Sequence, residues 1–202
     1  MINLHKEGGI WTATIIRPEK ANSLTEAMLT ELGDIALAAR DARALILTGA
    51  GRVFSAGADL EAARAGLATS PVWERLSGAI AALPCLTIAA LNGTVAGGAV
   101  GMSLACDLRI AVPGAKIFYP VMKLGFLPQP SDPPRMSRLI GPARTKMIFM
   151  AGQKIDTETA AAWGLFDRIV EAEILLDTAK ALAEDSITAD PAHAAAIKAM
   201  IP

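Results

Sequence analysis

Residues 85–98, CLTIAALNGTVAGG, join a short apolar run to a glycine-containing turn. The run from Cys85 to Leu91 carries no charge and has the length of a buried strand, and the turn ends where a helix is predicted to begin. Residues 44–60, ALILTGAGRVFSAGADL, repeat this order. Recurring units of strand, turn and helix predict an α/β fold with parallel strands.

The segments on either side continue the alternation. Residues 10–16 alternate like a half-buried strand, and Ser23 followed by Glu26 predicts a capping box at the start of the next helix. After Gly141 the pattern becomes helical, with Asp156 and Asp190 as predicted N-caps. We therefore divide the chain into a core, residues 1–150, and a helical C-terminal segment, residues 151–202.

Composition restricts the function classes. The chain has 202 residues, a formal charge of −1, 52% hydrophobic and only 4% aromatic residues, which favours one globular domain with an aliphatic core. No overall field attracts nucleic acid or anionic membranes. The uncharged stretch between Arg75 and Asp107 is interrupted by proline and glycine, so we expect no membrane helix there. The N-terminus lacks the pattern of a signal peptide, and we expect a cytoplasmic protein.

Several catalytic arrangements are disfavoured by the residue types available. The only histidines, His5 and His193, lie near opposite ends of the chain, so a Ser-His-Asp triad through Ser103 is disfavoured. Cys85 and Cys106 lack the spacing of a metal or redox site and are interpreted as buried thiols. We find no nucleotide-binding glycine fingerprint and no pattern that indicates a metal site.

The two glycine-containing turns remain as candidates for chemistry. Free backbone N–H groups at such turns can stabilise an anion, and glycine allows a ligand to approach the backbone closely. Two turns that face each other are able to hold an oxyanion between two donors. From spacing alone, ordinary tight turns are the favoured interpretation, because glycine turns are common.

Several ordered motifs support the first interpretation. VFSAGADL, ALNGTVAGG and CDLRIA, preceded by RPEKANSLT and followed by AGQKIDTETAAAWGLFDRIV, span about residues 10–170. This order resembles the crotonase (enoyl-CoA hydratase/isomerase) superfamily. The resemblance implies a spiral of repeated ββα units, here with a shortened helical C-terminal segment that leaves the site more open or completed by a neighbouring subunit.

The resemblance also implies a site. Its oxyanion donors are the backbone N–H groups of Ala58 and Gly98, and its ligand is a coenzyme A thioester, bound as substrate with no separate cofactor. The residues implied to line the thioester and CoA path are Ala56, Gly57, Leu60, Gly97 and Gln129, with Glu19, Lys20 and Ala21 at the adenine end. Independently, basic residues between Leu108 and Ile155 outnumber acids and suggest a surface for the CoA phosphates, or a solvated face paired elsewhere. These basic residues are Arg109, Lys116, Lys123, Arg135, Arg138, Arg144, Lys146 and Lys154.

The proton-transfer groups depart from the pattern. The two glutamates that act on water in the family's hydratases correspond here to Gly101 and Val121, and the carboxylate that some isomerases use corresponds to Gln129. None of these side chains can act as an acid or base. Asp132 is the nearest carboxylate, interpreted either as a turn-former before Pro133 or as a catalytic group. Glu61 and Tyr119 are further candidates.

Three functions therefore remain open from the sequence. The first is an acyl-CoA enzyme of the hydratase or isomerase type, a lyase or isomerase of fatty acid metabolism. The second is a non-catalytic acyl-CoA-binding protein with the same fold, and the third is an acyl-CoA decarboxylase or hydrolase. The resemblance implies a homotrimer or a hexamer of two trimers, without nucleic-acid or membrane partners.

Overall fold

The structure is a computed structural model and describes residues 1–201. In this range ten strands form two sheets: β1 (Ile2–Glu7), β2 (Ile10–Ile15), β3 (Ala44–Gly49), β4 (Val53–Ser55), β5 (Leu86–Leu91), β6 (Thr94–Ala96), β7 (Leu108–Ala111), β8 (Lys116–Phe118), β9 (Ile155–Asp156) and β10 (Arg168–Ile169). The α-helices are α1 (Glu26–Ala38), α2 (Leu60–Arg64), α3 (Val72–Ala81), α4 (Ala99–Leu104), α5 (Val121–Leu124), α6 (Asp132–Phe149), α7 (Thr157–Trp163), α8 (Leu175–Thr188) and α9 (Pro191–Met200).

The chain repeatedly places one strand in each sheet before it forms a helix. The larger sheet has the order β1-β2-β3-β5-β7-β10, and the smaller has the order β4-β6-β8-β9. All neighbours are parallel except β1 with β2 and β8 with β9. The successive units β3-β4-α2, β5-β6-α4 and β7-β8-α5 are the expected ββα repeats, and the predicted α/β fold is confirmed.

Apolar runs in the sequence correspond to the central strands of the larger sheet. β3 and β5 are buried along almost their whole length, because helices cover both faces of a parallel sheet. Cys85 and Cys106 are buried free thiols, as predicted. Burial raises the pKa of Cys106 to about 12, which keeps this thiol protonated and unreactive.

Helix termini follow the predicted capping chemistry with one exception. Asp156 and Asp190 accept hydrogen bonds from the first turns of α7 and α9. The capping box predicted at Ser23 is wrong, because Thr25 caps α1 and accepts a bond from the N–H of Met28 at 3.3 Å. Ser23 is instead buried, and its hydroxyl accepts a bond from Arg17. The C-terminal segment is mainly helical and contributes β9 and β10 to the two sheets.

A buried asparagine connects the turn after β2 to the unit β3-β4-α2. Asn22 has 0% exposure, and its Oδ1 accepts a hydrogen bond from the N–H of Arg17 at 2.8 Å. Its Nδ2 donates to the carbonyls of Ala50 and Val53 at 2.8 and 2.6 Å. These bonds fix the segment between β3 and β4, and therefore the start of the first glycine-containing turn.

We predict that Asn22→Ala lowers the free energy of unfolding by about 3 kcal/mol, because it removes the three hydrogen bonds of a fully buried side chain. Urea unfolding followed by circular dichroism measures the change. Asn3→Ala is the matched control, since Asn3 is exposed on β1, and it should change stability by less than about 0.5 kcal/mol. Equal stabilities of the two variants would contradict the structural role of Asn22.

In the described part of the chain, no helix combines the length and the apolar character that crossing a membrane requires.

Candidate functional site

The two glycine-containing turns leave adjacent parallel strands at the same edge of the smaller sheet. β4 pairs in parallel with β6, with Val53 opposite Thr94. The first turn, residues 56–58, follows β4, and the second, residues 97–98, follows β6. A Cβ added to Gly57 would lie 3.3 Å from the Cα of Gly97, so the backbones of the two turns are in contact.

This contact requires glycine in the first turn. Gly57 has a φ of +89°, a conformation that residues with a side chain rarely adopt, and an added Cβ would lie 2.8 Å from the carbonyl oxygen of Ala96. Its N–H is held by the hydroxyl of Ser55 at 3.1 Å. In the second turn the N–H of Gly97 donates to the carbonyl of Phe118 at 3.1 Å. Hydrogen bonds therefore fix both turns to the strands beside them.

Two backbone donors at these turns have no acceptor within residues 1–201. Leu24 bonds to the residues on both sides of Ala58, through the Gly57 carbonyl at 2.8 Å and the Asp59 N–H at 2.8 Å, and leaves the Ala58 N–H unused. The N–H of Gly98, which precedes α4, also donates to no other group of the described chain. Both residues are half-buried.

An ion pair between Arg17 and Asp59 stabilises the end of the first turn. Asp59 caps α2 through the N–H groups of Glu61 and Ala62, and the Arg17 guanidinium donates to its other oxygen at 2.8 Å. The hydrogen bond from Arg17 is the main reason that the pKa of Asp59 lies below its usual value. Asp59 therefore stays ionised and keeps its cap at neutral pH.

Two residues that the resemblance assigned to the adenine end, Lys20 and Ala21, precede a segment that bonds to the first turn. Lys20 ends an exposed helical turn, and the carbonyl of the next residue, Ala21, accepts a hydrogen bond from the N–H of Ala56 at 3.0 Å. Leu60 begins α2 and is 75% exposed, so its side chain is accessible beside the first turn.

A layer of side chains covers the second turn. A Cβ added to Gly98 would lie 2.9 Å from the Trp73 ring, so the indole packs directly on this residue. The indole N–H donates to the carbonyl of Leu67 at 2.8 Å, and Gln129 donates to the adjacent carbonyl of Ala68 at 3.3 Å. We call Trp73, the helical turn Leu67–Thr69 and Gln129 the cover of the site.

A buried carboxyl group lies beside α4. Asp132 is the first residue of α6, not part of an isolated turn, and its side chain has 0% exposure. The Tyr119 hydroxyl donates to its Oδ2 at 2.9 Å, while Oδ1 has no partner in the described residues. Burial raises the pKa of Asp132 to about 7, although the Tyr119 hydrogen bond lowers it. Burial and the neighbouring carboxyl raise the pKa of Tyr119 as well, so its hydroxyl remains a donor.

Asp132 occupies the space next to Gly101 on α4. A Cβ added to Gly101 would lie 2.5 and 2.7 Å from the two Asp132 oxygens, so no larger side chain fits at residue 101 unless Asp132 moves. Val121 is buried and apolar. Glu61 points to solvent on α2. Sequence reasoning named Asp132 and Tyr119 separately but missed their hydrogen bond and their contact with Gly101.

Three of the basic residues between Leu108 and Ile155 lie away from the two turns. The prediction that Arg109 belongs to a basic surface is wrong. Its side chain is 2% exposed, pairs with Asp167, and donates to the carbonyls of Cys106 and Leu165. Arg135 and Arg138 line a separate groove of about 830 Å³ between α6 and α9, and neither turn contributes to its lining.

Comparison with known proteins identifies the family. The family model for enoyl-CoA hydratase/isomerase matches residues 5–201. A carnitinyl-CoA dehydratase of Citrobacter koseri is 34% identical over 207 residues, which cover 98% of this chain and 78% of the relative. A 1,2-epoxyphenylacetyl-CoA isomerase of Escherichia coli is 34% identical over 196 residues, which cover 91% of this chain and 75% of that protein.

A solved structure agrees with this result. The crystal structure of an enoyl-CoA hydratase from Bacillus anthracis superposes with a TM-score of 0.92 and 32% sequence identity, covering 99% of this chain and 81% of the other. The chain therefore belongs to the enoyl-CoA hydratase/isomerase family, which confirms both the expected crotonase-like fold and the expected lyase- or isomerase-type enzyme.

Proposed function

We propose that this protein is an acyl-CoA enzyme that stabilises a thioester enolate with the backbone N–H groups of Ala58 and Gly98. The observation that carries the proposal is the pair of unused donors on two turns that touch each other. The relatives named for carnitinyl-CoA and for 1,2-epoxyphenylacetyl-CoA support a CoA thioester as the ligand.

The chemistry follows from where charge develops. When a proton leaves the α-carbon of a thioester, negative charge moves to the carbonyl oxygen. Two N–H groups held in place by the fold stabilise this charge without reorganising, which is the main device of an oxyanion hole. The ion pair between Arg17 and Asp59 and the hydrogen bond from Gly97 to Phe118 hold the two donors in position.

The remaining residues of the proposed site have binding roles. Ala56, Gly57 and Gly97 are small and allow the thioester to approach the backbone. The exposed Leu60 packs on the pantetheine arm, and Lys20 and Ala21 contact the adenine end. Transfer of charge to the carbonyl oxygen then occurs at the junction of the two turns.

We predict that acetyl-, crotonyl- and octanoyl-CoA raise the midpoint of thermal unfolding, whereas adenine nucleotides without a thioester raise it less. A ligand at 100 times its Kd stabilises the native state by about 2.7 kcal/mol. Gly98→Ala should reduce the shift, because its Cβ would lie 2.9 Å from the Trp73 ring and displace the turn.

Gly78→Ala is the matched control for this experiment. Gly78 lies inside α3, and a Cβ there would meet no atom within 4 Å, so the substitution should leave the acyl-CoA shift unchanged. If none of the three thioesters moved the wild-type midpoint, the acyl-CoA assignment would be wrong. Equal acyl-CoA shifts of the thermal midpoint in wild type and Gly98→Ala would show that the second turn takes no part in binding.

We also predict that the protein is a very poor hydratase of crotonyl-CoA. Hydration requires one group to activate water and another to protonate the α-carbon, and residues 101 and 121 are glycine and valine. The expected rate is at least about 10²-fold below that of a family member with both glutamates, since one missing acid/base group costs about 10² to 10⁴-fold. Loss of absorbance of the conjugated thioester measures it. Hydration at a normal family rate would refute the assignment of these two positions.

A further inference from the structure

We propose that Asp132 is the catalytic acid/base of this site, and that it moves protons to and from the acyl group from the first turn of α6. The inference rests on the proposed function, because it needs a thioester held by the two turns. It explains how proton transfer occurs without a carboxyl group at residue 101 or 121.

The carboxyl group of Asp132 lies beside the start of α4. Its oxygens lie against Gly101, which follows Gly98 by three residues at the start of α4. Residues three apart lie on the same side of a helix, with about 5–6 Å between their Cβ positions. The Asp132 carboxyl is therefore about one helical turn from the Gly98 N–H that receives the carbonyl oxygen.

The two carboxyl oxygens of Asp132 differ in their hydrogen bonding. Oδ2 is held by the Tyr119 hydroxyl, whereas Oδ1 is buried without a partner. Buried polar atoms in folded proteins are nearly always hydrogen-bonded, so an exception requires an explanation. A carboxyl group with one oxygen fixed and the other free is arranged to exchange a proton with a bound molecule.

Contacts from α3 and from the end of β8 hold the Asp132 carboxyl group in position. Tyr119 directly follows Phe118, whose carbonyl holds the second turn, and its ring packs on Phe149 with centroids 4.9 Å apart. Glu74 on α3 accepts hydrogen bonds from the N–H and hydroxyl of Ser131, the residue before Asp132. The first turn of α6 is thus fixed to α3 and to the end of β8.

The charged groups that face Asp132 set its protonation. Glu74 on α3 raises the pKa of Asp132, Arg135 on α6 lowers it, and the uncharged α4 contributes only burial. A pKa of about 7 leaves the group partly protonated near neutrality. Such a group both accepts and donates protons efficiently at that pH.

Substrate has to open a path to this buried group. The cover lies over the second turn: Trp73 and Leu67 are buried, and single hydrogen bonds join Trp73 to Leu67 and Gln129 to Ala68. An acyl chain that enters beside Gly98 displaces this layer and brings its α-carbon toward Oδ1.

One carboxyl group is sufficient for a complete reaction. The Asp132 carboxylate removes an α-proton, so the C–H bond breaks, an O–H bond forms, and the electron pair moves into the enolate. Return of the proton to the same carbon gives exchange. In a β,γ-unsaturated thioester, return of the proton to the γ-carbon shifts the double bond to the α,β position. Neither outcome uses water or a second acid/base group.

The test is exchange of the α-protons of butyryl-CoA in D₂O, followed by proton NMR. We expect exchange by the wild type and a loss of at least about 10²-fold in Asp132→Asn. Glu158→Gln, which changes an exposed carboxylate on α7, is the matched control and should exchange at the wild-type rate. The wild-type rate should rise with pH through about 7, because only the ionised carboxyl accepts a proton.

The outcomes separate this inference from the proposed function. If Asp132→Asn keeps the acyl-CoA thermal shift but loses exchange, both stand. If the wild type is stabilised by acyl-CoA but Asp132→Asn exchanges as fast, or the wild type does not exchange at all, Asp132 is not the acid/base and the binding site remains. If no acyl-CoA stabilises the wild type, both are overturned.

Unfolding provides a readout that needs no substrate. Because the folded pKa of about 7 lies above the usual 3.8, the stability that this carboxyl contributes is present below pH 3.8 and is lost as the pH rises through about 7. The thermal midpoint of the wild type should therefore fall relative to that of Asp132→Asn as the pH is raised from about 5 to about 8. Parallel curves for the two proteins would show that the carboxyl is not held in the buried position next to Gly101.

Discussion

The parallel pairing of β4 with β6 is the constraint on which the site depends. Each strand is only three residues long, and each follows a longer strand of the main sheet. Since parallel strands end at the same edge, the two glycine-containing turns must emerge side by side. Close to this contact between Gly57 and Gly97, two N–H groups have no partner in the described chain, and these are the donors that we propose for the oxyanion.

The relation between Gly101 and Asp132 is the second determining feature. Glycine at residue 101 leaves room that the Asp132 carboxyl fills, so the two residues depend on each other sterically. A glutamate cannot be introduced at residue 101 without displacing Asp132. In place of the glutamate that the resemblance implies at residue 101, a carboxyl group therefore reaches this part of α4 from a different helix.

The features predictable from sequence were local ones. Apolar runs predicted β3 and β5, and the spacing of small residues predicted both turns. Contacts between distant residues were not predictable: Asp132 touches Gly101 from another helix, and Arg109 is neutralised by Asp167, 58 positions away. A count of basic residues therefore suggested a surface that includes a core residue. The helix start was misplaced because Ser23 bonds to Arg17 instead of capping α1.

In the proposed site, two backbone donors polarise one thioester carbonyl. The most direct measurement is the infrared C=O stretching frequency of a bound acyl-CoA labelled with ¹³C at the thioester carbon, obtained as a difference from the unlabelled ligand. We expect the frequency to fall on binding to the wild type, to fall less in Gly98→Ala, and to fall equally in Asp132→Asn, because that residue acts on the α-carbon. A bound thioester whose carbonyl frequency equals that of the free ligand would contradict the account.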